Sequence, residues 1–203
     1  MNDTQSPKRS TGGRPAILST ERIVTAAIEV LDTEGLDALT MRRLGKQVNV
    51  AAMSLYRHVP DRAALLTAVV NRLLADAVVE LDAGDLWPEA LYRFGSSYRR
   101  TLLAHPRAVP LLATQPADIQ IGLMLMSAVL ERFAAVGISR ADAITAVQSV
   151  GVFVLGHALA QVGSPSGEDD SGAAPSTVDF YDEWFETGLT AMVRGFEYRY
   201  TGR

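Results

Sequence analysis

The chain has 203 residues, 48% of them hydrophobic, and a formal net charge of −4. That is apolar material for a sizeable core, in one domain or in a small domain joined to a larger one. No cysteine is present, which excludes disulfides, thiolate zinc sites and a cysteine nucleophile. The start of the chain lacks the apolar stretch of a signal peptide. The longest apolar runs, such as residues 150–156, read as too short to span a bilayer. The expectation is a cytoplasmic protein with no membrane partner.

The charge is unevenly divided. Residues 1–62 hold nine basic and seven acidic side chains, and the remainder holds ten and sixteen. A basic head on an acidic body is the asymmetry of a chain that meets phosphate at one end only.

In chain order, residues 1–18 form a polar, Gly-, Pro- and Ser-rich arm that is expected to be disordered alone. Its basic stretch suits a minor groove or a phosphate backbone, or is a plain solvated tail. Ser19 starts a first helix with Ile23, Ala26, Ala27, Val30 and Leu31 on one face, and Gly35 ends it. Thr40 caps a second helix whose inward residues are Met41, Leu44 and Val48. Gly45 is placed where the first and third helices cross. Asn49 occupies the turn, where a left-handed backbone suits Asn. A third helix is expected from about Ala51 to His58, anchored by Leu55. Asp61 then caps a long fourth helix running to about residue 82, apolar at Leu65, Leu66, Val69, Leu73, Ala77 and Leu81 and acting as a mechanical link.

Further helices follow. Pro88 opens one to about Ala104, a short segment covers Arg107–Leu112, and another runs from about Ala117 to Val136. Ser139 caps a strongly apolar one. Residues 163–177 form an acidic loop, and a last amphipathic helix spans about 178–196. No alternating strand pattern and no internal repeat appears. The fold class is therefore all-α, with three organisational pieces: the arm 1–18, a three-helix helix-turn-helix head 19–62, and a larger helical body 63–203, which the resemblance described below marks for ligand binding and dimerisation.

The outer face of the third helix carries the functional signal. Ala52, Met53, Ser54, Tyr56, Arg57 and His58 combine small residues, a hydroxyl, a phenol, an imidazole and a cation. Small residues allow close approach to a DNA groove, and the polar groups suit phosphates and base edges.

The segments ITAAIEVLDTEGLDALTMRRL, VNVAAMSLYRHV and DRAALL resemble the tetracycline-repressor (TetR) family of transcriptional regulators. LLAHPRAVPLLATQP, AVQSVGVFVLGHALAQ and FYDEWFETGL resemble its ligand-binding body. The resemblance implies a homodimer whose two heads read palindromic double-stranded DNA, released by a small-molecule effector. It implies DNA contacts at Thr40, Arg42, Ala52, Met53, Ser54, Tyr56, His58 and Arg62. Arg42 suits a guanine or a phosphate, and Ala52 or Met53 a thymine methyl. In the body it places Phe94, Tyr98, Leu111, Thr114, Gln115, Met124, Ser127, Val152, Phe153 and His157 at the effector. Tetracycline-binding members hold a drug–magnesium chelate through a histidine and a water-linked glutamate. Leu111 and Ala160 stand at those positions and cannot coordinate, so no metal and no other cofactor is expected. The effector implied is a mainly hydrophobic or aromatic molecule.

Two other readings are weighed against this one. A small helical enzyme needs a clustered acid–base pair or metal triad, and His58, His105 and His157 fall in three separate segments. A partner-binding protein that has lost DNA binding has no use for Arg42, Tyr56, His58 and Arg62. His157 has a plainer reading as a core histidine, and His105 as a helix-end cap.

Overall fold

The computed structural model describes residues 18–163 and 177–202. The N-terminal arm and most of the acidic loop lie outside them. The described residues form nine α-helices and no strand.

Local sequence explains the first helices. In α1 (Thr20–Glu34) the Ser19 hydroxyl accepts from the Arg22 amide at 3.2 Å. Gly35, at φ 86°, closes the helix by donating to the Leu31 carbonyl at 2.9 Å. Thr40 caps α2 (Met41–Gln47) by accepting from the Arg43 amide at 3.1 Å. Asn49 takes the left-handed turn at φ 58°, a conformation open to Asn and costly for branched residues.

Three expectations are corrected here. The close approach at Gly45 is to the turn and not between the first and third helices. A Cβ there would stand 2.8 Å from the Val50 carbonyl oxygen and 3.2 Å from the Ala52 nitrogen. The third helix, α3, is one turn long (Ala52–Leu55), with Tyr56–His58 in the turn that follows. Ala51 offers no side-chain cap, and Pro60 cannot continue a helix. The fourth, α4 (Arg62–Ala75), capped by Asp61, stops short of residue 82. Ending it there lets the chain turn Ala77 and Val79 into the body core.

The body comprises α5 (Trp87–Ala104), a 3-10 turn (Pro106–Ala108), α6 (Val109–Thr114), α7 (Ile119–Ala135), α8 (Arg140–Gly163) and α9 (Thr177–Thr201). The last helix runs one turn beyond the expected end. Tyr200 there packs on Trp87 at 5.9 Å between ring centroids, and its hydroxyl donates to the Asp142 carbonyl at 3.0 Å. The core joins α5, α7, α8 and α9 through Phe94, Phe133, Val150, Val154, Phe185 and Leu189.

α8 also corrects the membrane reading from sequence. It has 24 residues and a mean hydropathy of 1.7 over its most apolar window, long and apolar enough to cross a bilayer by those measures. Here its Ala143, Ala146, Val147, Val150, Val154, His157 and Ala158 are buried against the body, while Val152 on the opposite face is 72% exposed.

The head has its own hydrophobic cluster. Ile23, Ala27, Leu31, Leu44 and Leu55 meet Leu65, Val69, Val70 and Leu73 of α4, so this core does not stop at residue 62. Ala108 and Leu111, from the 3-10 turn and α6, belong to it as well.

Candidate nucleic-acid interface

The recognition surface is built on one buried anchor. Leu55 is fully buried, which turns the rest of α3 outward. Met53 is 76% exposed and Tyr56 43%. Exposing a methionine this far on a well-packed head leaves apolar area uncovered, and it becomes favourable once a groove covers it. Ala52 and Ser54 are half-buried beside it, and Arg57 and His58 are exposed.

The cations around it divide by pairing. Arg43 is tied down: it donates to Glu34 at 2.6 Å and to Gln47 at 2.9 Å. That partner holds the Glu34 carboxyl below its ordinary range. Arg42, Lys46 and Arg57 are exposed and form no hydrogen bond or ion pair among the described residues. Reading α2 as a helix separates Arg42 from Arg43, because adjacent residues point about 100° apart. Arg57 belongs to the outer face read from sequence, and Lys46, one turn beyond Arg42, is a cation that the sequence reading does not single out.

Two predicted contact residues do structural work in the free protein. The Thr40 hydroxyl caps α2. Arg62 reaches back across the head, with Nε donating to the Leu39 carbonyl at 3.2 Å and Nη2 to Leu36 at 3.3 Å. It ties the start of α4 to the α1–α2 loop.

The residues expected at the effector are not gathered round one cavity. Phe94 and Tyr98 are buried in the body core, their rings stacked at 6.2 Å. Burial pushes the Tyr98 phenol up to about 12, so it stays a neutral donor. Phe153 stacks on Phe185 at 5.8 Å next to His157. His157 is 3% exposed, with the Trp184 ring at 4.8 Å and the Tyr181 ring edge-on at 5.6 Å. Burial, and then the nearby Arg99 charge, hold its imidazole below the usual value. Leu111 lies in the head's cluster instead. Thr114, Met124 and Ser127 are exposed. Val152 faces outward because residues 150, 154 and 158 set the inward face of α8. Gln115 donates to the Thr67 hydroxyl of α4 at 3.0 Å. No cluster of metal-ligating side chains occurs among the described residues.

A helix-turn-helix head with an exposed recognition turn, packed on a separate helical body, defines a DNA-binding regulator class. Residues 23–69 match the model of bacterial regulatory proteins of the tetR family, and residues 81–174 that of the tetracyclin repressor-like C-terminal domain. The class D tetracycline repressor protein of Escherichia coli is 30% identical over 204 residues, covering 92% of each chain. An HTH-type transcriptional regulator of Saccharopolyspora erythraea is 31% identical over 76% of this chain, and the match spans 65% of that relative's length. Among solved structures, Streptomyces coelicolor ActR in complex with actinorhodin has a TM-score of 0.75 at 28% identity, covering 90% of this chain and 97% of that one. A TetR variant of Acinetobacter baumannii in complex with minocycline has 0.73 at 26%, covering 89% and 97%. The chain belongs to the TetR family of transcriptional regulators, and these are DNA-binding proteins and not enzymes.

Proposed function

We propose that this protein is a cytoplasmic, homodimeric repressor that binds a palindromic operator and is released by a small, mainly hydrophobic or aromatic effector. The observation that carries the reading is the recognition surface: Met53 at 76% exposure, with Tyr56 and His58 beside it and the unpaired cations Arg42, Lys46 and Arg57 around it. Arg42, Ser54, Tyr56 and His58 contact phosphates and base edges, and Ala52 and Met53 pack on base methyls. Thr40 and Arg62 set the angle at which this surface is presented.

The dimer reading rests on exposed apolar side chains of α8 and α9. Val152, Phe180 at 53% and Trp184 at 44% face solvent, and Trp184 borders a groove of about 390 Å³. A second copy would cover them as a four-helix seam, so α8 packs on protein and not on lipid. The effector reading rests on the aromatic core residues Phe94, Tyr98 and Phe153 and on the ligand complexes of the related structures. Gln115, at the end of α6, fastens that helix to Thr67 of α4. An effector that favours one arrangement of the heads by ~1–3 kcal/mol changes operator affinity about 5- to 150-fold.

The test is an electrophoretic shift on DNA from upstream of the protein's own gene. The protein retards it at low salt, and affinity falls steeply as salt rises, with the slope of a protein releasing several counterions. A shift that is absent at low salt, or indifferent to salt, contradicts the proposal.

A further inference from the structure

The body grips the head at a place separate from the α4 connection. His105, at the end of α5, lies with Nδ1 2.8 Å from Asp32 Oδ2 of α1. A carboxylate only accepts, so the imidazole donates. Two residues on, Arg107 donates to the Thr33 carbonyl, also in α1. Next in the chain, Ala108 and Leu111 are buried in the head's hydrophobic cluster. The segment from His105 to Leu111 is therefore fastened to α1 by two polar contacts and to the head core by two apolar ones.

We infer that the Asp32–His105 pair, with the Arg107–Thr33 contact, is a latch that sets the orientation of the head on the body, and that these are positioning residues for operator recognition. The energetics hold it closed. Asp32 Oδ1 is buried without a partner, and the side chains of the pair are only 29% and 25% exposed. Pulling His105 away leaves both carboxylate oxygens without a protein partner in a half-buried place, which costs more than opening a fully exposed pair. The pair therefore favours the closed position, with the 105–111 segment held against α1. The head has no other polar tie to this turn among the described residues, while Gln115–Thr67 and the Asp118 amide on Asn71 Oδ1 at 2.9 Å fasten α4. Both helices that carry the head are held, each by its own stretch of the body.

This inference rests on the dimeric operator reading, and one experiment separates the two. The chain has no cysteine, so Asp37→Cys on the exposed α1–α2 loop gives one spin label per chain. Pulsed dipolar spectroscopy on the full-length protein then reads the distance between heads. The parent gives a narrow distribution, and His105→Ala and Arg107→Ala each broaden it. On the duplex that the parent selects from a random pool, both variants lose about five-fold of the parent's discrimination against one base pair inserted between the half-sites. Arg107 is exposed, so its variant carries the result if His105→Ala does not fold. Distributions and spacing discrimination equal to the parent's overturn the latch. A parent with no dipolar signal overturns the dimer, and the latch with it.

Discussion

At the residue scale, the head was legible because its constraints are local. The caps Ser19, Thr40 and Asp61 and the left-handed Asn49 each announce themselves within four residues, and all four stand where local chemistry puts them. Tyr56 follows the same logic: one exposed phenol next to a buried Leu55. Tyr56→Ala removes a contact of about 1–1.5 kcal/mol, so operator affinity should drop about ten-fold while the melting temperature holds. A parallel titration and thermal melt check this. The same scale hides what long-range packing decides. Nothing near residue 105 says that its imidazole meets Asp32, 73 positions earlier. His157 has a reading from sequence as a core histidine, and its burial gives it a consequence. Its folded-state value is depressed by burial and by Arg99, against the opposing pull of the Tyr181 backbone and the Asp182 charge. Above the unfolded imidazole value of ~6.5 both states are neutral there and no stability is lost. As pH falls from that value towards the depressed folded one, the unfolded chain takes up the proton first, so stability declines. Denaturant midpoints measured between pH 8 and pH 5 should fall, and His157→Gln should flatten that part of the curve.

At the element scale, helix identity was legible and helix extent was not. The apolar spacing in residues 62–82 continues past Ala75, so periodicity alone prolongs α4. The helix stops because Ala77 and Val79 are worth more inside the body core than on an extended helix. α3 is shorter than its sequence implies for a related reason: Tyr56, Arg57 and His58 are compatible with helix, and the turn that holds them depends on Val59 being buried against the head. The assignment of α6 is the most consequential difference. Leu111, expected beside an effector, is 3% exposed within the head's cluster. Leu111→Ala should therefore cost roughly 2–4 kcal/mol and weaken DNA binding together with stability. Urea unfolding paired with an operator titration checks this. A variant that alters effector response alone would return Leu111 to the body.

At the scale of the whole molecule, the sequence separated a basic head from an acidic body. The effector site stayed out of reach, because the positions that the resemblance implies are set by matching along the chain and do not carry the packing that decides which of them face one cavity. Val152 shows this most plainly. Its neighbours Val150 and Val154 are buried, and it stands outward on α8, while Phe180 and Trp184 are exposed on α9. On the dimer proposed above, its place is the seam between copies. Val152→Asp should shift the protein from dimer to monomer in sedimentation equilibrium, because a charge would be buried there without a partner. The melting of the single chain should change little, since the side chain is open to solvent within it. The most direct test of the account as a whole is selection of bound duplexes from a random pool by the full-length protein at low salt, with the mass of the complex measured. The account predicts two inverted half-sites centred about one helical turn apart, roughly 34–36 Å, on a complex of two chains. Enrichment of a single asymmetric site bound by one chain, or no enrichment, would contradict it.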